Sequence, residues 1–215
     1  MGQILLSLKT ETEQKLRRLA KELKGGKKGA LSETVEEALK ALEKQVSREH
    51  AWKRLKELAD EDINWGLENL TETKFTPERG LVDTNILVYV LDNKDPAKHR
   101  SAKQFLDTVY QYPDRFFISV QNVREFAFTM LGKAIAPHEK IQEYIREFCL
   151  VFTVLPDSSE DAFIATQRAA TSNAPFWDAL LASTGERNGI QTIYTENTKD
   201  FEKIKGIKAV NPLRG

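Results

Sequence analysis

The hydrophobic pattern of the 215-residue chain changes at about residue 80. Beyond it, short apolar runs alternate with segments of helical length. The runs are LVDTNILVYVL (81–91), FFISV (116–120), LVFTVL (150–155), QTIYT (191–195) and IKAV (207–210), and helices are predicted near 96–110, 121–132, 138–148, 159–171, 175–188 and 199–204. Continuous apolar strands separated by helices are typical of a parallel sheet with both faces covered. We therefore predict a three-layer α/β/α domain over residues 80–215.

Residues 1–46 follow another order: strand, helix, glycine-rich turn, helix. From Gln3 to Lys9 polar and apolar side chains alternate, with one exception at Leu5, as in a half-buried strand. Ser32 is predicted to cap the second helix, whose apolar face would hold Val35, Ala38, Leu39 and Leu42. Since so small a unit rarely encloses its own core, we expect a homodimer or a higher homo-oligomer.

The segment between these parts, residues 47–79, is polar and prone to helix formation. Its spaced apolar residues are Trp52, Leu55, Leu58, Ile63, Trp65, Leu67 and Leu70. We interpret residues 47–70 as one or two amphipathic helices that dock onto another surface, followed by a break around Pro77 and Gly80. The predicted organisation is thus 1–46, 47–79 and 80–215.

Composition and charge narrow the classes of protein. Hydrophobic residues make up 40% of the chain, enough for a packed core, but no apolar stretch is long enough to span a bilayer. The N-terminus lacks the pattern of a signal peptide. Because Cys149 is the single cysteine, internal disulfides are excluded. One cysteine and three scattered histidines also argue against a structural zinc site. We expect a cytoplasmic protein. Although the net charge is zero, residues 1–30 carry eight basic and three acidic residues, a bias that attracts phosphate backbones.

Three carboxylates stand at or after predicted strands: Asp83, Glu125 and Asp178. Each has an ordinary explanation, since Asp83 could cap a helix, Glu125 could be solvated, and Asp178 could lie favourably at a helix N-terminus. However, ligands of open parallel sheets bind outside the carboxyl ends of the strands, where these side chains would converge. Converging carboxylates stay ionised only with a cation between them. Oxygen ligands of this kind suit Mg²⁺ or Mn²⁺.

The C-terminal two-thirds resembles the PIN-domain family, especially the VapC-like toxins of toxin–antitoxin systems. The matching segments are LVDTNILVY with Asp83, SVQNVREF with Glu125, FWDALLAST with Asp178 and the closing TIYTENTKDFEKI…VNP. The resemblance implies a metal-dependent ribonuclease in which these acids hold one or two metal ions. At the fourth acidic position this chain offers Asn197, between Glu196 and Asp200. We choose Glu196 as the fourth catalytic and metal-binding residue, with Asn197 and Asp200 as alternatives.

The resemblance also implies how the site works. The metal would lower the pKa of a bound water for in-line attack on RNA, leaving 5′-phosphate and 3′-hydroxyl ends. The side chains expected to orient the carboxylates by hydrogen bonds are Thr84, Asn85, Ser119, Thr195 and Asn197.

Residues 3–46 resemble the ribbon-helix-helix family of DNA-binding dimers. In that family two strands pair into a ribbon that enters the major groove. The resemblance implies that Gln3, Ser7 and Lys9 face DNA bases and that the start of the second helix, at Ser32, contacts a phosphate. Leu5 departs from the family's pattern because it is apolar where bases are read. The head either binds DNA or serves only for dimerisation.

An antitoxin-like head before a PIN-like domain suggests a natural antitoxin–toxin fusion, in which residues 47–70 restrain the nuclease. Deletion of residues 1–78 should then raise ribonuclease activity. Two other readings remain open. One is a DNA-binding dimeric regulator whose PIN-like domain is inactive, favoured by Asn197, and the other is a DNA nuclease.

Overall fold

The structure, a computed structural model, describes residues 7–59, 76–133 and 135–214. The chain divides into two compact units, Met1–Glu49 and His50–Gly215. The first unit is helical, and the second contains a parallel sheet surrounded by helices.

In the first unit, helix α1 (Thr10–Lys24) precedes α2 (Ala30–Ala59), which continues into the second unit. Gly25 ends α1 in the left-handed conformation, with φ 66°, and its backbone N–H donates to the Lys21 carbonyl. The prediction that Ser32 caps the second helix is wrong, because α2 begins two residues earlier, at Ala30, directly after Gly29 with φ 92°. Residues 7–9 precede α1 without forming a strand. The rest of the predicted strand, including Gln3 and Leu5, lies outside the described residues.

Most of the leucines that the structure describes in the first unit are poorly covered. Leu19, Leu23, Leu39 and Leu42 are 43%, 62%, 53% and 55% exposed. The apolar face predicted for the second helix is therefore present, but Leu39 and Leu42 are not buried within the single chain. Among residues 7–49, the buried side chains are the small ones of Ala20, Ala30 and Thr34.

The second unit contains a five-stranded parallel sheet in the order β3-β2-β1-β4-β5. The strands are β1 (Gly80–Val82), β2 (Phe116–Ser119), β3 (Thr153–Leu155), β4 (Thr192–Tyr194) and β5 (Lys208–Val210). The helices are α3 (Thr84–Tyr89), α4 (Pro96–Gln111), α5 (Val120–Gly132), α6 (His138–Val151), α7 (Ser159–Ser172), α8 (Phe176–Arg187) and α9 (Thr198–Phe201). In register, Leu81 of β1 lies opposite Phe117 of β2 and Ile193 of β4.

The sheet is apolar on both faces. Val82, Phe116 and Ile118 belong to a core cluster with residues of α2 to α6. Their neighbours in sequence, Leu81 and Phe117, belong to a second cluster with residues of α7, α8 and α9. Since successive side chains of a strand point to opposite faces, helices cover both sides. The predicted α/β/α architecture with a parallel sheet is confirmed.

Two of the predicted strands are too long. In the run at 81–91 only Leu81 and Val82 belong to β1, which begins at Gly80, and α3 follows because Asp83 caps it. Ile86, Leu87 and Val88 are buried on all sides, so their continuous apolarity does not distinguish helix from strand. In the run at 150–155, the first two residues end α6, and β3 begins at Thr153.

The described part of the segment predicted at 47–79 packs onto the core of the second unit. Ala51, Trp52 and Leu55 are buried, and the Trp52 ring stacks on Tyr110 with centroids 5.0 Å apart. Residues 60–75, which include the predicted anchor Trp65, lie outside the described residues. No helix in the part of the chain that the structure describes could cross a membrane.

Candidate active site

The site lies where the strand order reverses. The chain runs from β1 outward to β2 and β3, then crosses back to place β4 on the other side of β1. Asp83 follows β1, and Thr195 follows β4. Such a reversal opens a crevice at the carboxyl ends of the two central strands, where ligands of parallel sheets bind.

Three hydrogen-bond donors hold the carboxylate of Asp83. One carboxylate oxygen accepts from the backbone N–H of Thr84 at 2.7 Å. The other accepts from the Asn85 side-chain amide and from the Thr195 hydroxyl, both at 2.7 Å. Burial nevertheless raises the pKa of Asp83 to about 6, the negative charge of Glu125 adds to that rise, and the Thr195 hydrogen bond opposes it. Asp83 thus caps α3 and also faces other acids.

A relay of hydrogen bonds fixes Glu125 on α5. The Thr84 hydroxyl donates to Oε2 of Glu125 at 2.8 Å and accepts from the Asn122 amide at 3.1 Å. Asn122 in turn accepts from the backbone and the hydroxyl of Ser119, which closes a capping box at the start of α5. Ser119 therefore reaches the acid through Asn122 and Thr84.

Gln121 connects Glu125 to α8. Its side-chain amide donates to Oε1 of Glu125 and to the backbone carbonyl of Trp177, both at 2.9 Å. Because both partners are acceptors, they fix the orientation of the amide group. The amide oxygen is buried and has no hydrogen-bond partner among the described residues.

Asp178 lies in the first turn of α8, next to Trp177. Its Oδ2 atom is buried without a hydrogen-bond partner among the described residues. Burial raises the pKa of Asp178 to about 7, and the negative charges of Asp83, Asp200 and Glu125 add to the rise, whereas the charge of Lys203 opposes it. The negative charges of the three acids, which follow β1 or lie on α5 and α8, therefore repel one another. A cation between them would reduce this repulsion.

The carboxylate of Glu196 forms an ion pair with the side chain of Lys98. Lys98 lies 2.6 Å from Oε1, and the Tyr89 hydroxyl donates to Oε2 at 2.5 Å. Burial would raise the pKa of Glu196, but these two hydrogen bonds lower it below its ordinary value. The sequence-based choice of the fourth acid therefore occupies an ion pair.

Asp200 is the acid near the end of β4 whose charge acts on Asp178. It accepts from Lys203 and, at 2.6 Å, from the Asn197 amide, and these hydrogen bonds lower its pKa. The backbone N–H of Asn197 donates to the Thr195 hydroxyl at 3.0 Å. Asn197 therefore orients Asp200 and Thr195.

The donor set fits a divalent cation with oxygen ligands. Asp83, Glu125 and Asp178 offer carboxylates, and the buried Oδ2 of Asp178 lacks the partner that a buried charge requires. Within residues 7–59, 76–133 and 135–214, no three acidic, histidine or cysteine side chains are close enough together to enclose an ion as they stand. Asp83 and Glu125 line a cavity of about 330 Å³ with Tyr89 and Phe128.

The structure places the predicted orienting residues as follows. Thr84, Asn85 and Thr195 contact a carboxylate of Asp83 or Glu125 directly. In the first unit, Ser7, Lys9 and Ser32 are exposed. Their role in binding nucleic acid stays a prediction.

Four side chains of the site were missed at the sequence level: Asn122, Gln121, Tyr89 and Lys98. Two of them carried a local signal. Asn122 stands three residues after Ser119, as in a capping box, and Gln121 stands one helical turn before Glu125. Tyr89 and Lys98 meet Glu196 only through the fold, across about a hundred residues.

Together, the sheet order and the acidic crevice define an α/β protein with a group of carboxylates at the carboxyl ends of its central strands. Comparison of the sequence with protein families identifies the family of this chain. A model of the family described as PIN domain matches residues 80–207, more than half of the chain. The chain therefore belongs to the PIN-domain family.

Solved structures share this fold. The match to a DNA-bound VapBC from Salmonella typhimurium has a TM-score of 0.50 and 20% identity, and covers 63% of this chain and 99% of that chain. A toxin–antitoxin complex from Klebsiella pneumoniae is 25% identical, with a TM-score of 0.47 and coverage of 62% and 97%. No match was found among curated proteins. The similarity to the Salmonella protein establishes the fold of the second unit.

Proposed function

We propose that the chain is a metal-dependent ribonuclease of the VapC type, joined to an antitoxin-like N-terminal unit. The observation that supports the nuclease most strongly is the buried Oδ2 of Asp178, which has no hydrogen-bond partner among the described residues and is close enough to Asp83 and Glu125 for their charges to raise its pKa. Three carboxylates that repel one another at the switch point of a parallel sheet form a site for a cation that also binds a phosphate.

The protein residues would divide the work. Asp83, Glu125 and Asp178 would hold Mg²⁺ or Mn²⁺. The metal would supply positive charge next to the scissile phosphate and would lower the pKa of a bound water. Asn85 and Thr195 hold Asp83 in place, and the Ser119–Asn122–Thr84 relay holds Glu125. Both candidates for the fourth position pair with a lysine, Asp200 with Lys203 and Glu196 with Lys98. We place Asp200 there, ahead of Glu196, because its negative charge contributes to the raised pKa of Asp178.

The test is cleavage of end-labelled RNA and DNA oligonucleotides at several Mg²⁺ and Mn²⁺ concentrations. Asp83→Asn should reduce cleavage of RNA at least 100-fold, on the scale of losing one major transition-state interaction. Asp92→Asn is the control, an aspartate of the same domain outside the acidic group. Cleavage that needs no metal, or that survives Asp83→Asn, would reject the proposal. Products with 2′,3′-cyclic phosphate would reject hydrolysis by water, and cleavage of DNA alone would reject RNA as the substrate.

For the N-terminal unit, we propose that a second copy of the chain covers its exposed leucines. Several large apolar side chains that are exposed on one small unit commonly mark a surface that contacts another protein. Light scattering should show a dimer or a higher oligomer that dissociates when Leu39 and Leu42 are replaced with Gln. Lys40→Gln, on the same helix, should leave the mass unchanged.

Whether this unit also binds DNA or restrains the nuclease needs separate tests. Binding to promoter DNA should weaken with Lys9→Ala if the head contacts phosphates or bases. For restraint, removal of residues 1–78 is unsuitable, because Ala51, Trp52 and Leu55 belong to the core of the second unit. Removal of residues 1–49 leaves them in place and should raise activity if the head restrains the nuclease.

The competing function is a dimeric DNA-binding regulator with an inactive PIN domain. One feature of the sequence favours it: by the resemblance to the family, Asn197 stands where many relatives have Asp. It predicts DNA binding without metal-dependent cleavage of any RNA.

A further inference from the structure

Two aromatic side chains beside the acidic site are exposed. Phe128 of α5 and Trp177 of α8 are 81% and 58% exposed. Side chains of this size are normally covered in large part. They come from different helices, and both line one cavity of about 430 Å³. Their exposure is therefore concentrated at one place, next to the acids.

The aromatic cavity adjoins the acidic cavity. Phe128 and Glu125 line both, because they lie three residues apart on one face of α5. Trp177 directly precedes Asp178, and the Phe176 ring packs edge-on against the Trp177 ring with centroids 5.3 Å apart. The two exposed rings thus flank the acidic group from two helices.

Polar groups of the same cavity add to this arrangement. The Gln121 amide donates both to the backbone carbonyl of Trp177 and to the carboxylate of Glu125, and so connects the start of α8 to the acid on α5. Its amide oxygen lacks a donor among the described residues. The Arg124 guanidinium, paired with Asp157 at 2.9 Å, lies on the rim with its side chain 68% exposed. Aromatic rings and a guanidinium are groups that proteins present to unpaired bases and their phosphates.

We propose that Phe128 and Trp177 form a stacking platform for the bases next to the scissile phosphate. The inference rests on the proposed nuclease function. Aromatic rings stack on any base, but the bases of a duplex already stack on one another and are out of reach.

The experiment uses the full-length protein and a fluorescein-labelled 12-nucleotide single-stranded RNA, free or annealed to its complement. Phe128→Ala and Trp177→Ala should each raise KM about tenfold, the effect of one lost base stack, and should change kcat much less. Trp177→Phe keeps a ring and should retain most of the affinity. Phe163→Ala, which removes another exposed aromatic residue on α7, should have no effect. The duplex should be cut at least tenfold more slowly.

Binding is measured separately from cleavage, by fluorescence anisotropy with the Asp83→Asn protein and the same RNA. If the wild type cleaves RNA but neither alanine variant changes KM or anisotropy, the platform is rejected and the nuclease stands. If no cleavage occurs but binding depends on both rings, the nuclease is rejected and the two rings remain as a surface that binds single-stranded RNA. If light scattering shows that Phe128→Ala dissociates an oligomer, a second copy occupies this face, and the platform is rejected as well.

Discussion

The Thr195 hydroxyl donates a 2.7 Å hydrogen bond to the Asp83 carboxylate and joins the ends of β4 and β1. Thr195 is fully buried, and its oxygen also accepts from the Asn85 amide and from the backbone N–H of Asn197. One hydroxyl therefore ties the first acid to the segment that carries Asn197 and the last acidic residues.

Replacement of Thr195 with Val should weaken metal binding. The variant keeps the shape but loses the hydroxyl, so Asp83 loses a hydrogen bond that lowers its pKa and fixes its position. Apparent affinity for Mn²⁺, measured from activity against metal concentration, should fall about 10- to 100-fold, as for other residues that orient metal ligands. Thr195→Ser restores the hydroxyl and should restore most of the affinity. An unchanged metal requirement in Thr195→Val would show that the hydroxyl does not position Asp83.

In the presence of EDTA, the protein should lose stability as pH rises from about 4 to 7. The pKa values of Asp83 and Asp178 are raised from the ordinary 3.8 to about 6 and about 7. A folded state that holds protons more tightly is favoured below the unfolded pKa and loses that advantage as pH rises through the folded pKa.

The difference between wild type and Asp178→Asn isolates this effect. At pH 8 in EDTA, the variant should be more stable by about 2 kcal/mol, allowing for partial exposure of the site. The advantage should vanish near pH 4, and saturating Mg²⁺ should stabilise only the wild type. Urea unfolding at each pH measures both quantities. If the difference does not depend on pH, the raised pKa of Asp178 is wrong.

The fourth acid can be decided by paired neutral substitutions. Asp200→Asn removes a charge that acts on Asp178 and should raise the Mn²⁺ concentration needed for half-maximal activity about tenfold. Glu196→Gln breaks the pair with Lys98 and should affect that concentration much less. The reverse result would return Glu196 to the ligand set.

Much of the fold could be predicted from the sequence because the apolar runs are long enough to bury both faces of a sheet. The run around Asp83 misled, since Ile86, Leu87 and Val88 would be buried in either a strand or a helix. The capping hydrogen bond from the Thr84 backbone to Asp83 decides for helix. The possibility that Asp83 caps a helix could be inferred from the sequence, but the hydrophobic pattern alone does not favour a helix over a strand.

The candidate site was predictable where one position both ends a strand and carries a charge. Asp83 and Thr195 meet because β1 and β4 are neighbours, and the rule for parallel sheets points to that edge. The pairing of Glu196 with Lys98 was not predictable. It depends on where α4 packs, and a basic residue on an amphipathic helix gives no sign of its distant partner.

The orientation of α8, which carries Asp178, depends on an ion pair between Asp161 of α7 and Arg187. The guanidinium donates to both carboxylate oxygens, at 2.8 and 2.9 Å, and also to the Pro156 carbonyl. Asp161 is fully buried. Burial would raise its pKa, but the hydrogen bonds from Arg187 and Ser158 lower it below 3.8.

Arg187→Gln should therefore lower the free energy of unfolding by about 3 kcal/mol at pH 7, because it leaves a buried carboxylate without its cation. The exposed pair of Lys208 with Glu78 offers a matched control, and Lys208→Gln should cause no measurable loss. The lowered pKa of Asp161 contributes stability above about pH 4, and this contribution is lost as pH falls through the folded pKa. The difference between wild type and Arg187→Gln should accordingly narrow below pH 4 in urea unfolding. A difference that stays constant down to pH 2 would mean that Arg187 stabilises the helices by packing and not by its charge.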